Sequence, residues 1–488
     1  MIEIALIGWF PATILLFLVM RPHMAAAASM IFGVALLPAL RAIHVPVMPD
    51  LDQYTVPVLG SFFMTAALYP QRLMAARPGT GTDVMILGMI AGALATNLTN
   101  GDAQVFGPRV LPGMAVTDTI NDALEILIRF GMPALLGRAL VRSGREAVDV
   151  LVILGLCGVC YLLPVLVELQ IGPFWHSLFY GGPPSRSTFW HSMRYGGFRP
   201  NVLMNHGLTL SSFMLYCTIA WAGLARLGVR PYRLPPGLTT TVIGVVTAFC
   251  KSRAVYLYGV LAIPSVLAMR PRLQMLIVSS VAIVIIGYPF LRSVDLVPVK
   301  QIAEIAGEYA GYDAVVSFMQ RIETEDDVMR RTSERYLFGW GGYSRFWIYD
   351  PVTGAPMSVM DGYWAMVFGE GGLTRFLFFF SFLLYPIFYG WRRIDKIRSK
   401  STQVAICTLA WIVVLRTFDL IPNSTIDPYL TFFGGAICGV VRHESRRRVQ
   451  APSAGRRSER EREAEAGERQ EGPASLAARL MSDRAPSR

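Results

Sequence analysis

The chain has 488 residues, 53% of them hydrophobic and only 16% charged, with a formal net charge of +11. A soluble domain carries about 25% charged residues, so the composition excludes an ordinary soluble enzyme. The positive charges fall in short clusters between apolar runs, the pattern left by the positive-inside rule, so the net charge is no sign of nucleic-acid binding.

A bilayer core takes roughly 20 mostly apolar residues per helix, and such runs recur from the first residues to about 441. Backbone amides must be paired inside lipid, and the runs do not alternate in polarity, so they read as helices rather than barrel strands. The spans lie near 3–20, 24–43, 51–70, 83–99, 119–140, 148–170, 203–225, 236–250, 254–269, 273–291, 373–391, 403–418 and 428–441. The one near 51–70 is the weakest, so the expectation is an all-α polytopic membrane protein of about 12–13 transmembrane helices. The first segment, Ile4 to Met20, lacks a basic leader region and reads as a retained span. Six cysteines fall in or beside apolar runs. Cys157 and Cys160 form a C-x-x-C inside a span, which points to helix packing rather than redox chemistry.

Connecting segments sort by charge. Arg21, then Arg72 and Arg77, then Arg138, Arg142 and Arg145 belong to one set. It continues with Arg226, Arg230 and Arg233, then Arg270 and Arg272, then Arg392, Arg393, Lys396, Arg398 and Lys400. These loops alternate along the chain and so share one side, the cytoplasm, with the N-terminus outside and the C-terminus inside. The opposite short loops, 44–50, 100–118 and 419–428, hold almost no lysine or arginine.

Two outer segments are long, 171–202 and 292–360. The second is expected as a large helical periplasmic loop between two late spans. In its first part Ile302, Ile305, Ala306 and Tyr309 follow helical spacing, and its second part is rich in Gly, Tyr and Trp. The spans and loops of 1–441 form one membrane domain. The remainder, 442–488, mixes Arg and Glu with small residues and reads as a disordered charged cytoplasmic tail.

Several outer residues could carry chemistry. Lys251 and Arg253 sit in a short turn between two apolar runs on the low-cation side, where paired cations either snorkel to headgroups or hold an anion. Guanidinium forks match phosphate oxygens, so a diphosphate at the membrane surface is the natural partner. Loop 171–202 adds Arg186, Arg194 and Arg199. His206 stands at a span start, as a packed residue or a base. Glu370, between glycines, either fixes a helix start or orients an acceptor sugar. Trp340, Tyr343, Trp347, Tyr363 and Trp364 suit sugar stacking, and equally an interfacial aromatic belt. Glu125 and Arg129, four apart, read as a structural ion pair. Asp50-Leu51-Asp52 reads as solvated loop acids before a metal site.

Four segments in this order resemble the O-antigen ligase and Wzy-type polysaccharide polymerase superfamily. They are Arg194-Tyr195-Gly196-Gly197-Phe198-Arg199-Pro200-Asn201, then Lys251-Ser252-Arg253, then Leu337-Phe338-Gly339-Trp340-Gly341. The last is Asp361-Gly362-Tyr363-Trp364, followed by Gly369-Glu370-Gly371-Gly372-Leu373. The resemblance covers roughly residues 185–440. It implies an inner-membrane glycosyltransferase with its active site on the outer face, acting on undecaprenyl-diphosphate-linked glycan. Fixed cations lower the barrier to departure of the diphosphate, so no metal or cofactor is needed. Flippase and chain-length-regulator partners follow from the same resemblance.

By that resemblance Arg194, Arg199, Lys251 and Arg253 bind the diphosphate. Trp340, Tyr343, Tyr363, Trp364 and Glu370 line the sugar and acceptor site, and Asp361 or His206 activates the acceptor hydroxyl. The family often has a histidine where this chain has Asp361, a departure that favours polymerisation of repeat units over ligase-type transfer of a finished glycan. A lipid-linked glycan transporter is the alternative from another class; it would spread cations through span interiors.

Overall fold

The computed structural model describes residues 1–450, apart from 47, 77–79, 185–191, 195, 294–295, 297–300, 302–311, 359 and 361. The described chain is mostly helical, with only three short antiparallel hairpins. Every apolar run expected to span is a helix. In order they are α1 (Ile2–Val19), α2 (Pro22–Leu36), α3 (Thr55–Leu68), the short α4 (Pro70–Ala75), α5 (Gly81–Leu98), α6 (Val116–Ile126) and α7 (Met132–Leu140). Then come α8 (Gly144–Ile171), the short α9 (Trp175–Tyr180), α10 (Gly207–Leu227), α11 (Pro236–Phe249), α12 (Arg253–Ala268) and α13 (Pro271–Ser293). The last four are α14 (Tyr312–Ser333), α15 (Tyr363–Trp391), α16 (Lys400–Asp419) and α17 (Pro428–Gln450).

Seven of these are long and apolar enough to cross a membrane: α1, α5, α8, α10, α13, α15 and α16. Four shorter apolar helices, α2, α3, α11 and α12, have 10–17 residues. The run near 119–140 is interrupted: α6 and α7 are joined through a π-helical turn, Leu127–Gly131, that carries Arg129. The run near 373–391 is one part of α15, which starts ten residues earlier and breaks its helical backbone at Gly372. Beyond the last apolar run α17 continues to Gln450, into the stretch read as the tail; residues 451–488 lie outside the described residues, as do Ile302, Ile305, Ala306 and Tyr309.

The core is apolar side chains of α8, α10, α15, α16 and α17, with Trp221, Trp364 and Trp411 fully enclosed. Small residues let backbones touch where lipid offers no hydrophobic drive to associate. Thus Gly137 of α7 lies against Phe432 and Ala436 of α17, and Gly435 and Gly439 lie against Ala134 and Val141.

Cationic loops assigned to one side do meet at one end. Arg142 donates to the Arg72 carbonyl at 2.7 Å, Arg72 pairs with Glu146 at 3.5 Å, and Arg442 donates to the Ala76 carbonyl at 2.8 Å. Arg226 binds the carbonyls of Val266 and Met269, and Arg272 approaches Asp395. Opposite helix ends gather the candidate functional residues.

Candidate functional site

Two of the four resembling segments converge near the start of α10. Residues 193–194 pair with 197–198 in a short antiparallel hairpin, which sets Arg194 opposite Gly197. The Nζ of Lys251 lies against Gly197, so the hairpin and the α11–α12 turn are in contact. Arg199 is buried, packs its methylenes over Gly207, and donates from Nη2 to the Lys251 carbonyl at 2.6 Å. That bond holds Lys251 in the left-handed region at φ 55°, a conformation costly for a side chain with a Cβ and often found at functional sites. Ser211 of α10 fixes the same turn by donating to the Cys250 carbonyl at 3.1 Å. Arg253 is exposed and opens α12. Lys251 therefore stands against the Arg194–Gly197 hairpin, Arg199 lies buried against the same turn, and Arg253 follows two residues on.

Glu168 holds this region in place, and nothing in the sequence reading picked it out. It is fully buried at the end of α8. One oxygen accepts the Phe174 and Trp175 amides at 3.0 and 3.1 Å, and the other accepts those of Asn201 and Val202 at 2.9 and 2.7 Å. Four amides compensate the buried charge and pin both ends of the 171–202 segment. The available signal was an acid inside an apolar run.

His206 caps α10: its Nδ1 accepts the Leu208 amide at 3.1 Å. A neutral ring accepting at Nδ1 carries its proton on Nε2, the tautomer that donates rather than abstracts. Asp361, the other candidate base, lies outside the described residues.

The third and fourth resembling segments interlock. Trp340 and Gly341 donate to the carbonyls of Gly369 and Glu370 at 2.9 and 2.8 Å, and Leu373 and Thr374 donate to those of Tyr336 and Leu337 at 2.8 and 3.1 Å. These four bonds satisfy backbone groups released where α15 breaks at Gly372, as membrane helices require. The loop's start is anchored differently. Glu325 of α14 is buried, accepting Trp364 Nε1–H at 3.2 Å and the Tyr288 hydroxyl at 3.4 Å. Burial pushes its carboxyl up to about 7, against the opposing Trp364 bond and the Arg292 charge.

The aromatic candidates divide. Trp364 is enclosed, edge-on to Tyr288. Trp340 is buried with the guanidiniums of Arg331 and Arg335 at 3.9 and 4.4 Å from its ring centroid. Trp347 is half-buried against the core. Both Trp340 and Trp364 are packing residues here, Tyr363 is half-buried with its ring 5.4 Å from that of Phe379, and Tyr343 is exposed.

Glu370 pairs with Arg375 at 3.1 Å, and both remain partly open to solvent. Around them stands an acidic stripe that the sequence reading caught only at Glu125 and Arg129. Asp118, Asp122, Glu125 and Arg129 repeat at helical spacing along one face of α6 and its π turn. Asp118 accepts the Tyr343 hydroxyl at 2.7 Å, and Asp122 accepts the Asn97 amide at 3.1 Å. Glu125 and Arg129 do pair, at 3.4 Å. Asp52 is not a solvated loop acid. It caps α3 through the Tyr54 and Thr55 amides and pairs with Arg129 at 2.8 Å.

One loop, 419–428, joins the cationic and acidic regions. Thr425 accepts from Asn205, beside His206, at 3.3 Å, while Asn423 and Leu420 accept the Tyr363 and Trp364 amides at 3.1 and 3.3 Å. The loop's own ends are tied by Arg416, buried between Asp419 and Asp427 at 2.9 Å each. Paired and hydrogen-bonded, this buried charge group is a fixed frame. Among the described residues no group of three or more His, Cys, Asp or Glu side chains is placed to hold a metal ion. No family model matches the chain, and no curated protein sequence matches it.

Proposed function

We propose that the chain is a polytopic inner-membrane glycosyltransferase that polymerises lipid-diphosphate-linked oligosaccharide repeat units on the outer face, making O-antigen or exopolysaccharide. In this reading the shorter apolar helices cross as well, giving 12–13 spans, and residues 292–360 form the periplasmic loop. The observation that carries it is the seating of Arg199 and Lys251 against the Arg194–Gly197 hairpin, at the helix ends opposite the cationic loops. Fixed cations beside a departing diphosphate stabilise the charge that develops in the transition state.

The acceptor sugar hydroxyl attacks the anomeric carbon of the donor, the bond from that carbon to the diphosphate oxygen breaks, and the centre inverts. The hydroxyl proton passes to the base, Asp361, since the capping bond to Nδ1 leaves His206 without a free basic nitrogen, and the lipid diphosphate leaves against Arg194, Arg199, Lys251 and Arg253. Tyr343, Tyr363 and Glu370 orient the acceptor. Clustering of the cations at helix ends supports this reading over transport, which needs them near the bilayer midplane.

Purified full chain in lipid nanodiscs, given undecaprenyl-diphosphate-linked repeat units, should produce a ladder of longer glycans, and Arg253→Ala should reduce it to single units at unchanged protein level. A single transfer to a lipid acceptor without a ladder would mean ligase activity. An undiminished ladder from Arg253→Ala would remove this donor site.

A further inference from the structure

Where α13 begins, α15 ends and α16 begins, positive charge is concentrated beyond what its neighbours offset. Arg270, Arg272, Arg392, Lys396, Arg398 and Lys400 are all exposed. The acid beside them, Asp395, is itself 63% exposed and stands 3.6 Å from Arg272. Among the described residues that is the one pair these six cations make with a carboxylate. Arg393, next to them, lies over Tyr389 at 4.1 Å from the ring centroid. Other cations of the same rim are taken up inside the protein. Arg72 pairs with Glu146 and Arg138 with Asp83, while Arg142 and Arg226 donate to backbone carbonyls.

The exposed cations sit on a fixed turn. Ile394 and Ile397 are buried, and the Gln403 side-chain amide donates to both of their carbonyls, at 3.1 and 2.8 Å. Ser399 caps α16 by accepting the Thr402 amide at 3.2 Å. Arg272 and Lys400 stand in the first turns of α13 and α16, where the helix dipole opposes a cation. Like charges held together this way repel one another, and an anion from outside the chain relieves the repulsion. The same place borders apolar surface. Leu267 of α12 and Leu273 and Leu276 of α13 are exposed, and so is Trp391 at the end of α15. An indole between apolar surface and charge marks the level of lipid headgroups. A soluble polyanion would match the cations alone, whereas a phosphate carried on an apolar body matches both surfaces.

We propose that the surface formed by the start of α13 and the 392–400 turn binds the headgroup phosphates of anionic phospholipid, on the rim that the charge pattern assigns to the cytoplasm. The guanidinium and ammonium groups take the phosphate oxygens, and the acyl chains lie along Leu273 and Leu276. This surface is separate from the candidate diphosphate turn: α12 runs from Arg253 at that turn to Ala268 beside Arg270. Lipid binding here goes beyond the polymerase reading and does not depend on it.

Native mass spectrometry of the purified full chain, titrated with phosphatidylglycerol and separately with phosphatidylcholine of the same acyl chains, reads the two dissociation constants. Wild type should bind phosphatidylglycerol at least fivefold more tightly. Lys396→Gln, Arg398→Gln and Lys400→Gln together should bring the two lipids within twofold. Arg21→Gln, Arg230→Gln and Arg233→Gln together remove the same charge from other connections and should keep the fivefold preference. Melting curves in lipid-free detergent check that both variants fold; if the first does not, Arg398→Gln with Lys400→Gln replaces it, with the preference expected to fall below threefold. Glycerol 1-phosphate in excess should leave the bound phosphatidylglycerol in place. No preference in wild type, a preference that survives neutralisation of the 392–400 turn, or an equal loss in the matched variant would overturn the proposal. Displacement by glycerol 1-phosphate would overturn it as well, by showing a site for free phosphate.

Discussion

Gly339 and Gly372 pack backbone against backbone: a methyl built on Gly339 would stand 2.6 Å from the Gly372 amide nitrogen, and one built on Gly372 would stand 2.6 Å from the Phe338 nitrogen. Both glycines also have positive φ, 64° and 61°. The large loop therefore closes onto the break in α15 through two positions where neither space nor backbone geometry admits a side chain.

Gly339→Ala or Gly372→Ala should each cost about 3 kcal/mol, the overpacking term of roughly 1–3 kcal/mol added to the left-handed backbone cost of about 1–2 kcal/mol. Gly342→Ala is the matched control, because its Cβ would meet nothing nearer than Met114 at 3.8 Å. Thermal unfolding of detergent-purified protein should separate the two alanine variants from wild type and leave the control with it. Equal melting of all four would mean that the interlock is not a stabilising contact.

Arg199→Lys should lower glycan product at least tenfold without loss of protein. Lysine keeps the charge but presents a single ammonium, and the guanidinium of Arg199 both reaches the Lys251 carbonyl and shapes the turn. Gly207→Ala should act in the same direction, since its Cβ would stand 2.5 Å from Arg199 Cγ. Product length on a gel, normalised to protein by blot, decides it.

Glu168→Gln should destabilise by about 3 kcal/mol, the cost of breaking a buried charged group's bonds. An amide can accept at only one of the two positions, so its NH2 would face two of the four amides now bound. Limited proteolysis should then open the 171–202 segment first. Cleavage at an unchanged rate would show that the carboxylate is dispensable.

The helices were legible in the sequence because each buries a continuous apolar run, and thirteen such runs became helices, with α6 and α7 sharing one of them. Their lengths were less so: whether α2 or α3 crosses depends on tertiary support for a helix of 14 or 15 residues, which periodicity does not carry. The cationic turn was legible because Lys251 and Arg253 break a charge pattern. Glu168 and Glu325 were not, because their roles come from partners far along the chain: amides more than thirty residues away for one and the Trp364 indole for the other. The Asp118–Asp122–Glu125 stripe was in plain view at helical spacing, but its partners Asn97 and Tyr343 are brought to it only by folding. The loop tryptophans show the converse. Trp340 and Trp364 look like sugar platforms in the sequence, and their faces are taken by arginines and by core side chains.

The docking of α14 should loosen as pH rises, and Glu325 is the cause. Its carboxyl goes from an ordinary 4.5 to about 7, chiefly through burial, while Trp364, Arg292 and Tyr288 oppose the shift and Asp326 adds to it. Below about 4.5 the group is protonated whether α14 is docked or released, so it makes no difference. Between 4.5 and 7 the released form gives up its proton first, fewer protons are bound in the released state, and stability of the docked state falls with pH. Above about 7 both forms are ionised and the loss is complete. Arg292 does not cancel the effect, because it is already paired with Asp326 at 2.6 Å. Hydrogen exchange of residues 312–333 should therefore be faster at pH 8 than at pH 5.5 after correction for intrinsic exchange rates. Glu325→Gln, which keeps an acceptor for the Trp364 indole but has no charge to gain, should abolish the difference. A pH dependence that persists in Glu325→Gln would place the titrating group elsewhere on the loop.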